Sequence, residues 1–106
     1  DYSDLGVIIG NLIDNSKHAV SRVLENNMDA YIDIKLICHV DNIVFIIKNN
    51  YINTPEARNI DYYKNHGRGI GSVRKIIKKY DGMYDVKKTE YEYVTSVSVG
   101  VRNMRM

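Results

Sequence analysis

Apolar residues recur every three or four positions over residues 4–24: Leu5, Ile8, Ile9, Leu12, Ile13, Ala19, Val20, Val23 and Leu24. That spacing predicts a helix with one buried stripe. Ser3 or Asp4 can cap its start, and Glu25, Asn26 and Asn27 break the pattern. A period of two follows. Ile32, Ile34, Leu36, Cys38 and Val40 alternate with Asp33, Lys35, Ile37 and His39, which predicts a strand turning at Asp41-Asn42. Cys38 falls on the apolar face and is expected in the core, and His39 on the exposed one. Residues 43–48 form an apolar run ending at a lysine, the pattern of a strand buried on both faces. From residue 49 to 66 the periodicity stops, the chain turns polar and the only proline, Pro55, appears. Such a stretch is long for a connection in a compact domain. Ile70, Val73, Ile76, Ile77 and Tyr80 mark a second helix, with Lys78 and Lys79 at its C-terminus and Gly82 as a left-handed stop. Residues 83–89 predict a strand. Tyr91, Tyr93, Thr95, Val97, Val99 and Val101 predict a last one by strict alternation, with both tyrosines packed on it. The order helix, strand, strand, long loop, helix, strand, strand predicts an α/β two-layer sandwich of the α+β type, with a mixed, mostly antiparallel sheet.

Composition narrows this picture. The 106 residues are the size of one domain, 1–106. An apolar share of 44% and a charged share of 26% exclude long disorder. A net charge of +2 is too mild to imply nucleic acid. A single cysteine excludes an internal disulfide framework. The longest apolar run, residues 43–47, is far short of the ~20 residues of a membrane-spanning helix, and the N-terminus has no signal-peptide pattern. The chain opens on Asp1 without an initiator Met, so it is expected to be a piece of a longer polypeptide.

Three groupings could carry chemistry. Asn11, Asn15 and His18 are spaced four and three apart on the first helix, a polar line bordering the apolar stripe. Alone, such a line reads as a solvated helix edge. Gly67, Gly69 and Gly71 open the second helix, where free backbone amides attract phosphate, and Lys64, His66 and Arg68 stand beside them. Alone, the triplet reads as a loop entering a helix. No strand directly precedes it, as a dinucleotide fingerprint requires, and no Gly-Lys-Ser/Thr makes it a P-loop. The third grouping is Asn49-Asn50 at the end of the second strand, which alone is an ordinary turn signal.

Together, Gly10-Asn11-Leu12-Ile13-Asp14-Asn15-Ser16, a strand ending in Asn, a long loop, and His66-Gly67-Arg68-Gly69-Ile70-Gly71-Ser72 resemble the ATP-binding domain of the GHKL superfamily, over roughly residues 4–101. That superfamily has a Bergerat-type fold and includes sensor histidine kinases, type II topoisomerases, a heat-shock chaperone and mismatch-repair ATPases. The chain looks closest to the short domains of peptide quorum-sensing histidine kinases. The resemblance implies ATP and Mg²⁺ as cofactors. Asn11 and Asn15 match the two N-box asparagines and are the implied catalytic pair, with Asn15 on the metal. Asn49 falls where most relatives have the aspartate that reads the adenine amino group. Gly67, Gly69 and Gly71 match the glycine-rich box that ends the ATP lid, here about 50–66, and Lys64, His66 and Arg68 lie in or beside it. The sequence departs from the family in lacking Asp-x-Gly-x-Gly: Asn49, Asn50 and Tyr51 stand there, and a neutral amide is a weaker acceptor than a carboxylate. The lid also lacks Thr-x-Lys before His-Gly.

ATP-hydrolysing members have a glutamate as general base where Asn11 stands, and an amide cannot take a proton at neutral pH. The resemblance therefore implies a histidine protein kinase domain that transfers the γ-phosphoryl group to a histidine on an upstream dimerisation domain. His18, His39 and His66 do not lie in a phospho-acceptor sequence. The implied setting is the cytoplasmic part of a membrane-anchored, homodimeric sensor kinase that acts indirectly on a response regulator, with no membrane contact by this domain. Two other readings compete. A degenerate docking module of the same fold would bind little or no nucleotide. A nucleic-acid binder would use Arg68, Arg74, Lys75, Lys78 and Lys79 with the tyrosines, and would show steep salt dependence.

Overall fold

The structure, a computed structural model, describes residues 2–52 and 69–100. Six elements follow in the order α1 (Tyr2–Glu25), β1 (Ile32–Cys38), β2 (Asn42–Asn50), α2 (Gly69–Lys79), β3 (Met83–Lys88) and β4 (Glu92–Gly100). The strands form one sheet in the order β1-β2-β4-β3. Every pairing is antiparallel, so the described sheet is not mixed. Both helices pack on one face, giving the expected two-layer α+β sandwich.

Helix periodicity and strand alternation meet in one core. From α1 it takes Ile8 and Leu12, from β2 Phe45 and Ile47, from α2 Val73 and Ile77 with Tyr80 just past its end, and from β4 Val97 and Val99. The buried residues of β2 are Phe45, Ile47 and Asn49, while Val44, Ile46 and Lys48 on the other face are only half-buried. The run 43–48 is thus covered on one face, not two. Burying a core isoleucine side chain such as Ile8 stabilises the fold by roughly 1.5–3 kcal/mol.

Both helices stop by the same backbone device. Asn27, with φ 57°, and Asp81, with φ 52°, take the left-handed conformation. Met28 N–H then bonds to Val23 O at 3.2 Å, and Gly82 N–H to Ile77 O at 2.8 Å, closing the two C-termini in Schellman fashion. Gly82 is therefore not the left-handed stop. Its glycine is required by space: a Cβ there would lie 2.2 Å from Ser98 O.

Several other expectations shift. The first hairpin turns at Val40-Asp41, closed by His39 N–H to Asn42 O at 2.8 Å, one residue earlier than Asp41-Asn42. β2 continues through Asn50, so the end of the strand replaces the predicted start of the lid. Beyond Ile32, which packs against the core, β1 lies largely outside the cover of α1, which among the strands packs mainly on β2, and Cys38 is exposed rather than a core thiol. Tyr91 sits in the second hairpin, exposed, where Thr89 N–H bonds to Glu92 O at 2.9 Å. Asp4 lies inside the first turn of α1, and its carboxylate accepts from Tyr80 Oη at 2.5 Å and from Lys79 Nζ at 2.9 Å. The hydroxyl and the ammonium hold the Asp4 carboxyl below its usual range. This contact ties the start of α1 to the end of α2. Among the described residues, no helix is long and apolar enough to cross a membrane.

Candidate functional site

Asn49 is the centre of the site. It follows Phe45 and Ile47 on the helix-covered face of β2 and is 5% exposed, so its carboxamide needs partners inside the protein. Ser16 Oγ donates to Asn49 Oδ1 at 3.0 Å, and Asn49 Nδ2 donates to Asn50 O at 2.9 Å. Among the described residues, one acceptor lone pair and one amide hydrogen of Asn49 have no partner. Ser16 stands in the buried stripe of α1 between Leu12 and Val23, at a position where the period calls for an apolar residue. That polar interruption was the signal for Ser16, which a search for asparagine motifs passes over.

Asn50 faces the other way. Its Oδ1 accepts from Tyr31 N–H at 3.1 Å and its Nδ2 donates to Asp29 O at 2.8 Å. Asn49-Asn50 is thus the end of a strand rather than a turn, with one side chain toward the site and the other pinning the α1–β1 connection. Tyr31 Oη donates to Glu92, and this bond to a carboxylate pushes its phenol up to about 12.

Asn15 precedes Ser16 on α1. Its side chain is half-buried and makes no hydrogen bond among the described residues. Asn11, one turn earlier, donates from Nδ2 to Val7 O at 2.9 Å, which leaves its oxygen as the unengaged end. His18 is exposed. A carboxamide oxygen is a hard, neutral donor of the kind Mg²⁺ accepts, and Asn11 and Asn15 each carry one on α1, Asn15 next in sequence to Ser16. These residues fit a divalent cation as partial ligands, with other oxygens completing the shell.

The wall beyond Asn49 is aromatic. Tyr93 of β4 lies opposite Asn49 in the register, and Lys88 of β3 lies opposite Tyr93. The Tyr51 and Tyr93 rings pack with centroids 4.8 Å apart, and Lys88 Nζ stands 5.3 Å from each. Tyr51 Oη donates to Thr89 O at 2.6 Å. The sequence pattern singles out neither Tyr51 nor Lys88, because nothing local shows that two hairpin ends meet here.

Gly69 is the first residue of α2. Among the described residues, a Cβ on Gly71 would meet nothing within 4 Å. The first turn of α2 carries no acidic residue, which suits an anion at the helix start. Lys64, His66, Gly67 and Arg68, and the lid over residues 53–66, lie outside the described residues.

Comparison with known families gives these residues their setting. The family model described as "GHKL domain" matches residues 1–100. The chain belongs to the GHKL family. Among solved structures, this GHKL domain is similar to the histidine kinase domain of the blue-light activated histidine kinase EL346 from Erythrobacter litoralis. The TM-score is 0.69 at 12% identity, covering 93% of this chain and 44% of that one. It is also similar to the catalytic domain of the histidine kinase ThkA in a nucleotide-free form, with a TM-score of 0.68 at 17% identity, covering 94% of this chain and 67% of that one. No curated protein matches. The GHKL domain thus shares its fold with histidine kinase catalytic domains and spans less than half of the EL346 chain.

Proposed function

We propose that this GHKL domain binds Mg-ATP at the junction of α1, the end of β2 and the start of α2, and donates the γ-phosphoryl group to a histidine on an upstream dimerisation domain. The observation that carries the reading is the cluster at the end of β2. Asn15 is unengaged there, and Asn49, held by Ser16, keeps one donor and one acceptor free. An adenine edge offers an amino donor beside a ring-nitrogen acceptor, and the amide of Asn49 can answer both. The Asp4–Tyr80 tie supports the rest. Asn15 lies eleven residues beyond Asp4, and the α2 start about ten before Tyr80, so each is about 16 Å from the tie along its own helix.

Within this reading Asn15 contributes one oxygen to Mg²⁺, which when bound neutralises phosphate charge. The backbone amides at the start of α2, with Gly67, Gly69 and Gly71, steady the phosphates, and Lys64, His66 and Arg68 supply donors from the lid side. Asn11 can orient a ligand but cannot take a proton from water, which favours transfer to histidine over hydrolysis. The wider setting is a membrane-anchored, homodimeric sensor kinase of the peptide quorum-sensing type, acting through a response regulator.

One observation favours the docking-module reading. Tyr51, packed on Tyr93, occupies the position of the first glycine of the missing Asp-x-Gly-x-Gly box. Thermal shift with millimolar Mg-ADP separates the two. Stabilisation supports the nucleotide site, and no shift in the folded domain supports docking.

A further inference from the structure

β1 is an edge of the sheet, and among the described residues nothing pairs with its outer side. The hairpin bond from His39 N–H to Asn42 O fixes which backbone groups face β2. Counting back by twos, residues 37, 35 and 33 bond inward, so the N–H and C=O groups of Ile32, Ile34, Leu36 and Cys38 point outward. The side chains of these same residues lie on the helix face, opposite Asn49, Ile47, Phe45 and Ile43 of β2. Because α1 covers β2 instead of β1, Ile34 is left 50% exposed and Leu36 54%, and Leu24 at the end of α1 is 60% exposed. An uncovered apolar edge with free backbone groups is a template for another strand.

The charges on β1 say which strand. Antiparallel pairing of β1 with a second β1 about a two-fold axis at Ile34 sets Ile34 against Ile34, and Ile32 against Leu36. On the open face it sets Asp33 against Lys35 of the second copy, and Lys35 against its Asp33. Those two charge pairs fall at the non-hydrogen-bonded positions, where side chains approach most closely. The opposite edge, β3, has a similar alternation in Asp85 and Lys87, but its helix face is different. Tyr84 is half-buried with Arg74 5.8 Å from its ring, Lys88 stands over Tyr51 and Tyr93, and on this face Val86 alone of the described β3 residues is both apolar and exposed, while the exposed Met83 lies on the open face.

We infer that β1 is a homotypic interface, joining two GHKL domains into one continuous eight-stranded sheet through Ile32, Ile34 and Leu36, with Asp33 and Lys35 setting the register. A two-fold contact of this kind uses the same patch on both copies. It is independent of the nucleotide reading.

Sedimentation equilibrium of the 106-residue chain over micromolar to millimolar concentration tests it. The wild type self-associates to a dimer. Lys35→Asp sets Asp33 against a second carboxylate on both sides of the axis and raises the dimer Kd about tenfold. The exchange Asp33→Lys with Lys35→Asp restores complementarity and returns the Kd to within about threefold of wild type. Lys87→Asp on the other edge leaves it unchanged. Asp33 and Lys35 are both exposed, and circular dichroism checks that each variant is folded. In a Cys38→Ser background, Asp33→Cys with Lys35→Cys gives a covalent dimer on oxidation, whatever the charge variants do to stability. A wild-type chain that stays monomeric throughout overturns the inference. So does a folded Lys35→Asp variant that dimerises like wild type, a charge exchange that fails to restore the dimer, or a dimer lost on Lys87→Asp instead.

Discussion

Asn49 and Ser16 show what one buried polar pair asks of a fold. Replacing Asn49 with Ala leaves the Ser16 hydroxyl buried without its acceptor, and should cost about 1–3 kcal/mol of stability in urea denaturation. Ser16→Ala should cost a similar amount, and the double variant less than the sum, because both changes remove one bond. Two glycines make a sharper contrast. Gly82→Ala drives a methyl group against Ser98 O and should cost about 1–3 kcal/mol or more. Gly71→Ala adds a methyl group that meets no described residue, and should leave stability unchanged or raised by up to about 1 kcal/mol while weakening nucleotide binding. Thermal melts read the first effect and calorimetric titration the second. The N-box asparagines were legible because they recur at helical spacing. The Ser16 contact to Asn49 was not, since it joins residues 33 apart in the chain. Only the polar break in an apolar stripe hinted at it.

At the scale of elements, local pattern placed the two helices and four strands of the described residues, because each buries one face and its period records that face. What failed needed knowledge of neighbours. Cys38 alternates correctly with Leu36 and Ile34, but the helix layer stops short of β1, so an apolar face ended in solvent. Either hairpin turn could shift by a residue without disturbing alternation in one strand, and only pairing with β2 fixes the register of β1. Gly82 stands where the pattern predicts a conformational stop, whereas Asp81 takes that conformation and Gly82 makes room for β4. The tie between α1 and α2 was likewise invisible, since Asp4 at a helix start looks like a cap. Its carboxyl is held below the ordinary range by Tyr80 and Lys79, so its contribution to stability is full above the unfolded pKa of ~4 and is lost as pH falls through the lower folded value. Asp4→Asn should therefore be less stable than wild type at neutral pH. The gap should close on acidification below pH ~4, as followed by chemical denaturation at a series of pH values.

For the molecule as a whole, the layout has a simple logic. The core fixes α1 and β2 so that Asn15, Ser16 and Asn49 meet at one end of the sheet, and the Asp4 tie sets the other end of the helix layer. Tyr51, Tyr93 and Lys88 form the far wall of the site end. The proposed β1 contact and the proposed nucleotide site adjoin at one point, Ile32, which lies opposite Asn49 in the register. The measurement that bears most directly on the proposed function is isothermal titration of the domain with a non-hydrolysable ATP analogue, with and without Mg²⁺, on the wild type and on Asn15→Ala. The expected result is Mg²⁺-dependent binding by the wild type and at least about a tenfold loss in the variant, a change of about 1.4 kcal/mol. Binding that is equal in the two proteins, or no binding by a folded wild type, would contradict the account.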